Sequence, residues 1–349
     1  MNIPLSRADI GQKEIDAVSK VLKNGWLTMG KETALFEEEF AKYVRVKYAV
    51  AVNSATSGLF LALKALEIKE GDEVIVPSFT FAACVNVIIH CGAIPVFVDI
   101  NEKDFTINQE SLDKAITKKT KAIVLVHYGG NRAVIKTKLP IIEDSAHLIP
   151  KGGDNKQSFA RCYSFYATKN MTTGEGGMIT TNDLDIADWL KRARLHGLSR
   201  DAWKRYEVKS KWIYTVEFAG FKFNTTDLNS ALGRVQLKRL DSFEKKRKKA
   251  VSLYNKLLGK NNIGTHLYPI LIEKRDQFFD FMQKKGVGCS FHFTPLHLQP
   301  AYIKYKKGSL PVTEYVGSRV VTLPLDAVIS KAEVKKVAQL VNDFVTNNS

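Results

Sequence analysis

"SFYATKNMTTGEGGM", residues 164–178, is the stretch on which the fold of this chain turns. It sets a single lysine, Lys169, among small hydroxyl residues and follows it with glycines around Glu175; an apolar strand runs on from Ile179. A lysine taken alone is most often a surface residue. Here the chain around it decides whether the ammonium group belongs to a site instead.

Working outward, short β-branched runs precede it: "YAVAV" (48–52), "EVIVP" (73–77), "IPVFVDI" (94–100), "KAIVLVH" (121–127) and "PIIEDS" (140–145). Each reads as a buried strand. Amphipathic stretches such as "SGLFLALKAL" (57–66) and "AACVNVIIHCG" (82–92) lie between them and read as helices. Strands alternating with helices predict an α/β fold with a mostly parallel central sheet and helices on both faces. From about residue 238 the pattern changes. A long basic helix (roughly 238–259) leads into "THLYPILI" (265–272), and a final helix ends near Val345. This predicts a large α/β domain over 1–240 and a smaller α+β domain over 241–349.

In such sheets ligands bind beyond the carboxyl ends of the strands. After the strand at 48–52 comes "NSATSG" (53–58), where Ser54, Ala55 and Thr56 open a helix. That is either ordinary capping or a phosphate site made of free N–H groups. After the strand at 140–143 comes "EDSAH", in which Asp144 is either a cap or an anion facing a cation at the top of the sheet. Lys169 completes the set. A lysine beside a bound phosphate and across from a buried aspartate is what pyridoxal phosphate requires. The lysine forms a Schiff base, the aspartate holds the pyridine nitrogen protonated, and the helix N-terminus holds the phosphate.

The composition sets outer bounds. The 349 residues are 45% hydrophobic, enough for a sizeable core. The formal charge of +16 permits nucleic-acid binding, but the lysines are dispersed. The densest basic run, "EKKRKKA" (244–250), falls in a helical pattern and reads as a solvated face. No nucleic-acid partner is expected, and attraction for anionic nucleotides accounts for the charge. Cys84, Cys91, Cys162 and Cys289 form no paired motif and read as reduced thiols. No apolar run approaches a membrane span, and a cytoplasmic protein without metal is expected.

With these residues in place, the chain resembles the sugar aminotransferases of the DegT/DnrJ/StrS family, fold-type I pyridoxal-phosphate enzymes. The similarity runs nearly end to end. It includes "GWLTMGKETALFEEEFAKY" (25–43), "AVNSATSGLFLAL" (51–63), "VIVPSFTFAACVNVIIHCGAIPVFVDI" (74–100), "IIEDSAH" (141–147) and the opening stretch. Later landmarks are "RARLHGLSRDAW" (192–203), "GFKFNTTDLNSALGRVQLKRL" (220–240), "HFTPLH" (292–297) and "PVTEYVGSRVVTLPL" (311–325).

The resemblance implies roles at matching positions. Lys169 would be the Schiff-base lysine and proton shuttle, and Asp144 the partner of the pyridine nitrogen. His147 would sit near the phenolic oxygen of pyridoxal 5′-phosphate, and Phe81 would stack on its ring. Ser54, Ala55, Thr56 and Ser164 would hold the phosphate. Lys222 and Asn224 would reach the cofactor of the neighbouring subunit in a homodimer with shared sites. Thr28, Gly30, His292 and His297 would line the substrate. The chain differs from many relatives in having Lys222, Asn224 and Ala55, and its 128–140 and 255–266 segments are short.

The reaction implied is transfer of an amino group from glutamate, through pyridoxamine 5′-phosphate, to a nucleotide-linked keto-deoxysugar. "GWLTMGK" (25–31), "VHY" (126–128) and "HF" (292–293) resemble relatives that aminate at C4, so a 4-keto-6-deoxyhexose is expected, with a 4-ketopentose next. A 3-keto sugar or a keto-cyclitol is an alternative. A dehydratase of this fold would carry histidine in place of Lys169. A non-catalytic regulatory or nucleic-acid-binding protein would need neither Lys169 nor Asp144.

Overall fold

The computed structural model describes residues 2–152, 158–199 and 214–348. The end of the "RARLHGLSRDAW" landmark lies outside the described residues. β1 (Tyr48–Val52), β2 (Glu73–Pro77), β3 (Ile94–Val98), β4 (Thr120–Val126), β5 (Ile141–Asp144), β6 (Ala160–Ser164) and β7 (Gly177–Thr181) form one sheet in the order β1-β7-β6-β5-β4-β2-β3. The pairs from β3 across to β6 are parallel. β7 runs antiparallel to both β6 and β1, so the sheet is mostly parallel, as the sequence predicts.

Side chains alternate across a strand, and both faces of this sheet are buried. Val50, Val52, Val76, Val124, Ile142 and Cys162 pack under α3 (Ala55–Ala65), α4 (Ala82–His90) and α6 (Leu184–Ala193). On the other face, Ala49, Ala51, Tyr163 and Met178 meet Phe36 and Phe40 of α2 (Lys31–Val44) and Leu237, Leu240 and Phe243 of α7 (Asp227–Leu258). β5, the middle strand, ends with Asp144 at the carboxyl edge where the site forms.

α7 begins well before residue 238. Thr226 caps it by accepting the Asn229 N–H at 3.2 Å. Farther along, its Ala250, Val251 and Tyr254 join a second core. That core holds the β8 (Tyr268–Leu271) and β9 (Val320–Leu323) pair with α8 (Arg275–Lys284) and α10 (Lys331–Asn348). Ile3 also packs there and pairs with Val287. The N-terminal end therefore rests on the smaller body, whereas the sequence reading allots it to the larger. No helix among the described residues is long and apolar enough to cross a membrane.

Candidate active site

A cavity of about 500 Å³ opens at the carboxyl edge of the large sheet, between it and the β8–β9 body. Asp144 forms its floor and is 7% exposed. A carboxylate this enclosed needs hydrogen bonds. Oδ1 accepts the Ala146 N–H at 2.9 Å, closing a turn, and Oδ2 accepts the Cys84 thiol at 2.9 Å. Burial and the charge on Asp144 push the Cys84 thiol well up, so it remains a donor. The sequence reading offered a cap or a functional anion. The carboxylate holds a local turn and also faces the cavity.

Lys169 lines the same cavity, on the loop between β6 and β7. Burial lowers its ammonium to about 8, while Asp144 and Cys84 act in the opposite direction. The backbone carries the anchoring. The Lys169 N–H reaches the Tyr166 carbonyl at 3.0 Å, and Arg247 of α7 donates to the carbonyls of Asn170 at 3.0 Å and Lys169 at 3.4 Å. An amine held this way is partly neutral near neutrality, which suits a nucleophile and a proton carrier.

Ser54 is the N-cap of α3, its hydroxyl accepting the Ser57 N–H at 3.1 Å. Helix geometry leaves the Ala55 and Thr56 N–H groups without intrahelical acceptors, and both residues line the cavity with Ser54 and Ser164. A Cβ on Gly177 would stand 2.5 Å from the Ser54 carbonyl carbon, so β7 passes flush beneath this turn. The N-terminal end of α3 is thereby fixed, and it presents a site for an anion.

The opposite wall is aromatic. Phe81, at the start of α4, leaves 61% of its surface exposed and so offers a face for stacking. His147, His266, His292 and Phe293 complete it. His147 accepts the Gly129 N–H on Nδ1 at 3.2 Å, and its ring lies 4.3 Å from that of His266. Burial and then Lys169 hold His147 and His266 well below their ordinary values, and hold His292 at about 4. All three imidazoles are therefore neutral near pH 7.

The structure thus gathers Ser54, Ala55, Thr56, Phe81, Asp144, His147, Ser164, Lys169 and His292 around one space. Other expected residues lie elsewhere. His297 is buried behind the wall, with Nδ1 2.6 Å from the Ser78 hydroxyl and Nε2 3.0 Å from Glu314. It does not line this chain's own cavity, and both ring nitrogens face partners within the chain. Thr28 and Gly30 sit outside this chain's own cavity, against the start of α7, where Asp227 accepts the Gly30 N–H at 2.7 Å. Lys222 is exposed, and Asn224 has a buried Oδ1 without a hydrogen-bond partner among the described residues. Neither lines the cavity of its own chain. Cys84 and His266 escaped the sequence reading. Cys84 looked like one of four scattered thiols, and His266 sits just ahead of β8 in a run to which the sequence reading gave no site role.

The donor set fits pyridoxal 5′-phosphate: an enclosed amine, a hydrogen-bonded carboxylate facing it, an aromatic face and a helix N-terminus. The comparisons agree. The model of the DegT/DnrJ/EryC1/StrS aminotransferase family matches residues 8–342. The spore coat polysaccharide biosynthesis protein SpsC of Bacillus subtilis is 38% identical, covering 98% of this chain and 97% of its own. Spr1654 of Streptococcus pneumoniae, described as a sugar aminotransferase and solved in its pyridoxamine-phosphate form, superposes with a TM-score of 0.90 at 29% identity over the whole of both chains. PseC of Helicobacter pylori, an aminotransferase of pseudoaminic acid biosynthesis, does so with a TM-score of 0.88 at 28% identity over 98% of this chain and 99% of its own. Built around this site and matched along nearly its full length, the chain belongs to the DegT/DnrJ/EryC1/StrS family of pyridoxal-phosphate-dependent sugar aminotransferases.

Proposed function

We propose that this sugar aminotransferase takes its amino group from glutamate and delivers it to C4 of a nucleotide-linked 4-keto-6-deoxyhexose. The balance is an exchange: glutamate leaves as 2-oxoglutarate, and the ketone oxygen of the sugar is replaced by the amine. The product would be an amino sugar for a surface glycan or a secondary metabolite. The observation that carries the reading is Lys169, enclosed and lowered to about 8, in one cavity with the hydrogen-bonded carboxylate of Asp144.

Pyridoxal 5′-phosphate, when bound, supplies an electron sink that stabilises the carbon losing its proton. The chain's own residues do the rest. The N–H groups of Ala55 and Thr56, with Ser54 and Ser164, would bind the phosphate. Asp144 would hold a proton on the ring nitrogen. Phe81 would cover a face of the ring and exclude water there. Lys169 Nζ is the base that removes a proton from the donor carbon and returns one to the sugar carbon.

The position of amination rests on the sequence likeness at "GWLTMGK", "VHY" and "HF". Physically it depends on how the rim turns the ketone toward the amine. A misplacement of about 1 Å there costs on the order of a hundredfold in rate. Incubation with glutamate and matched 3-keto and 4-keto nucleotide sugars, followed by location of the new nitrogen by NMR, tests the reading. Nitrogen at C4 is expected, and product aminated only at C3 would refute it.

A further inference from the structure

We propose that Cys84 is a positioning residue of this active site: its thiol hydrogen fixes the plane of the Asp144 carboxylate and so aims that carboxylate at the ring nitrogen of the cofactor. The proposal deepens the aminotransferase reading, in which Asp144 pairs with that nitrogen, and rests on it for that pairing.

The need comes from the aspartate side chain itself. Its last torsion joins a tetrahedral carbon to a planar one and is broad, so a single hydrogen bond anchors one oxygen and leaves the plane free to swing. The chain supplies two, from different elements. The Ala146 N–H, in the turn after β5, reaches Oδ1 at 2.9 Å. The Cys84 thiol, on α4, reaches Oδ2 at 2.9 Å across 60 residues of sequence. With one donor on each oxygen, each keeps a second lone pair for a ligand, and Asp144 still lines the cavity.

The surroundings set the direction of the second bond. A thiol has one hydrogen, and a carboxylate oxygen only accepts. The Cys84 hydrogen therefore goes to Asp144. Thr80 Oγ1, 3.3 Å from the sulfur, must then be the donor of that pair. A chain results, from the Thr80 hydroxyl to the Cys84 sulfur and from the Cys84 thiol to Asp144, and it begins at a residue that itself lines the cavity. Cys84 has no exposed surface and shares an apolar cluster with Val126, Ile142 and Cys162 of the sheet, so water does not compete for its hydrogen. A side chain without that hydrogen would leave Oδ2 against an apolar wall.

The same helix end carries Phe81. The Cys84 N–H reaches the Phe81 carbonyl at 3.2 Å in the opening turn of α4. One turn therefore places both the exposed Phe81 ring and the thiol that orients Asp144.

The test is a double-mutant cycle read on affinity for pyridoxal 5′-phosphate, by absorbance titration of the full-length chain with no sugar or amino donor present. Cys84→Val keeps the bulk and removes the hydrogen. It should weaken binding about tenfold, the size of a hydrogen bond to a charged group. Cys84→Ala should do the same if the valine variant does not fold. Cys84→Ser keeps a donor and should stay within about twofold of the wild type. In an Asp144→Ala background the change to valine should cost nothing further, because no carboxylate is left to aim. In the cofactor-free chain, the infrared S–H stretch lost in Cys84→Ser should lie below those of the other thiols and rise in Asp144→Ala. Wild-type affinity in Cys84→Val, or a loss that persists undiminished in the Asp144→Ala background, would overturn the proposal. Cofactor affinity and the S–H band are read without turnover, so they stand or fall separately from which sugar carbon is aminated and which donor is used.

Discussion

At Lys169 two physical effects compete. Burial disfavours the charged amine, and Asp144 favours it; burial wins, and the group titrates at about 8. The charged neighbour, Asp144, is an anion acting against the shift, so burial does the lowering. At pH 7 about a tenth of such an amine is neutral, against fewer than one in ~10³ for an ordinary lysine. Competitive acetylation of the cofactor-free chain should give Lys169 a midpoint near 8, and a midpoint above 10 would reject the burial argument. Asp144 is tested by Asp144→Asn. The variant should still bind pyridoxal 5′-phosphate, while its half-reaction with glutamate slows by ~10²-fold or more. Near-normal turnover would reduce Asp144 to the turn it closes through Oδ1. Asp144 was legible because it ends an apolar strand, and Lys169 because it stands alone among small hydroxyl residues ahead of a glycine run. Cys84 was not, because its partner Asp144 is 60 residues away and only packing of α4 on the sheet brings them together.

At the level of elements, β5 shows what alternation does. Asp144 points to the cavity side, and Glu143 turns to the opposite face. There Glu143 Oε2 meets His127 Nε2 at 2.6 Å and Arg161 at 2.5 Å, and Ser158 donates to Oε1. Burial works against the Glu143 charge, but these donors and the Arg161 cation hold it at about 2. A carboxylate lowered in the folded state adds stability above its unfolded value, and that contribution fades as pH falls toward 2. Glu143→Gln should therefore cost about 3 kcal/mol near neutrality. Its gap to the wild type should narrow between pH 4.5 and 2 in denaturant titrations; a constant gap would contradict the assignment. The turn beneath the phosphate site is tested by Gly177→Ala. The added methyl meets Ser54 backbone and should cost about 1–3 kcal/mol, with loss of cofactor affinity measured by absorbance titration. The strands β1 to β5 were legible because their apolar runs are short and bounded. β6 was not, because "ARCYS" carries a buried Arg161 that breaks the apolar signal. The early start of α7 was missed because its first turn is polar and packs under Asp227 contacts that no local pattern shows.

Across the whole molecule, the end-to-end order of landmarks made the fold readable where single motifs were weak. What it left unread was the local packing of single residues within those landmarks. His297 falls within a landmark yet serves packing, while Lys222 and Asn224 stand away from their own cavity. The exposure of Lys222 favours a role for this segment across a homodimer interface. Mixing Lys169→Ala subunits with Lys222→Ala, Asn224→Ala subunits should then restore activity through one intact composite site; an active monomer in light scattering would rule this out. The account depends most on one amine among all the lysines of the chain. Reduction of the protein with borohydride in the presence of pyridoxal 5′-phosphate, followed by peptide mapping, tests it directly. The expected result is a fixed pyridoxyl adduct on Lys169, and an adduct confined to any other lysine would contradict the account.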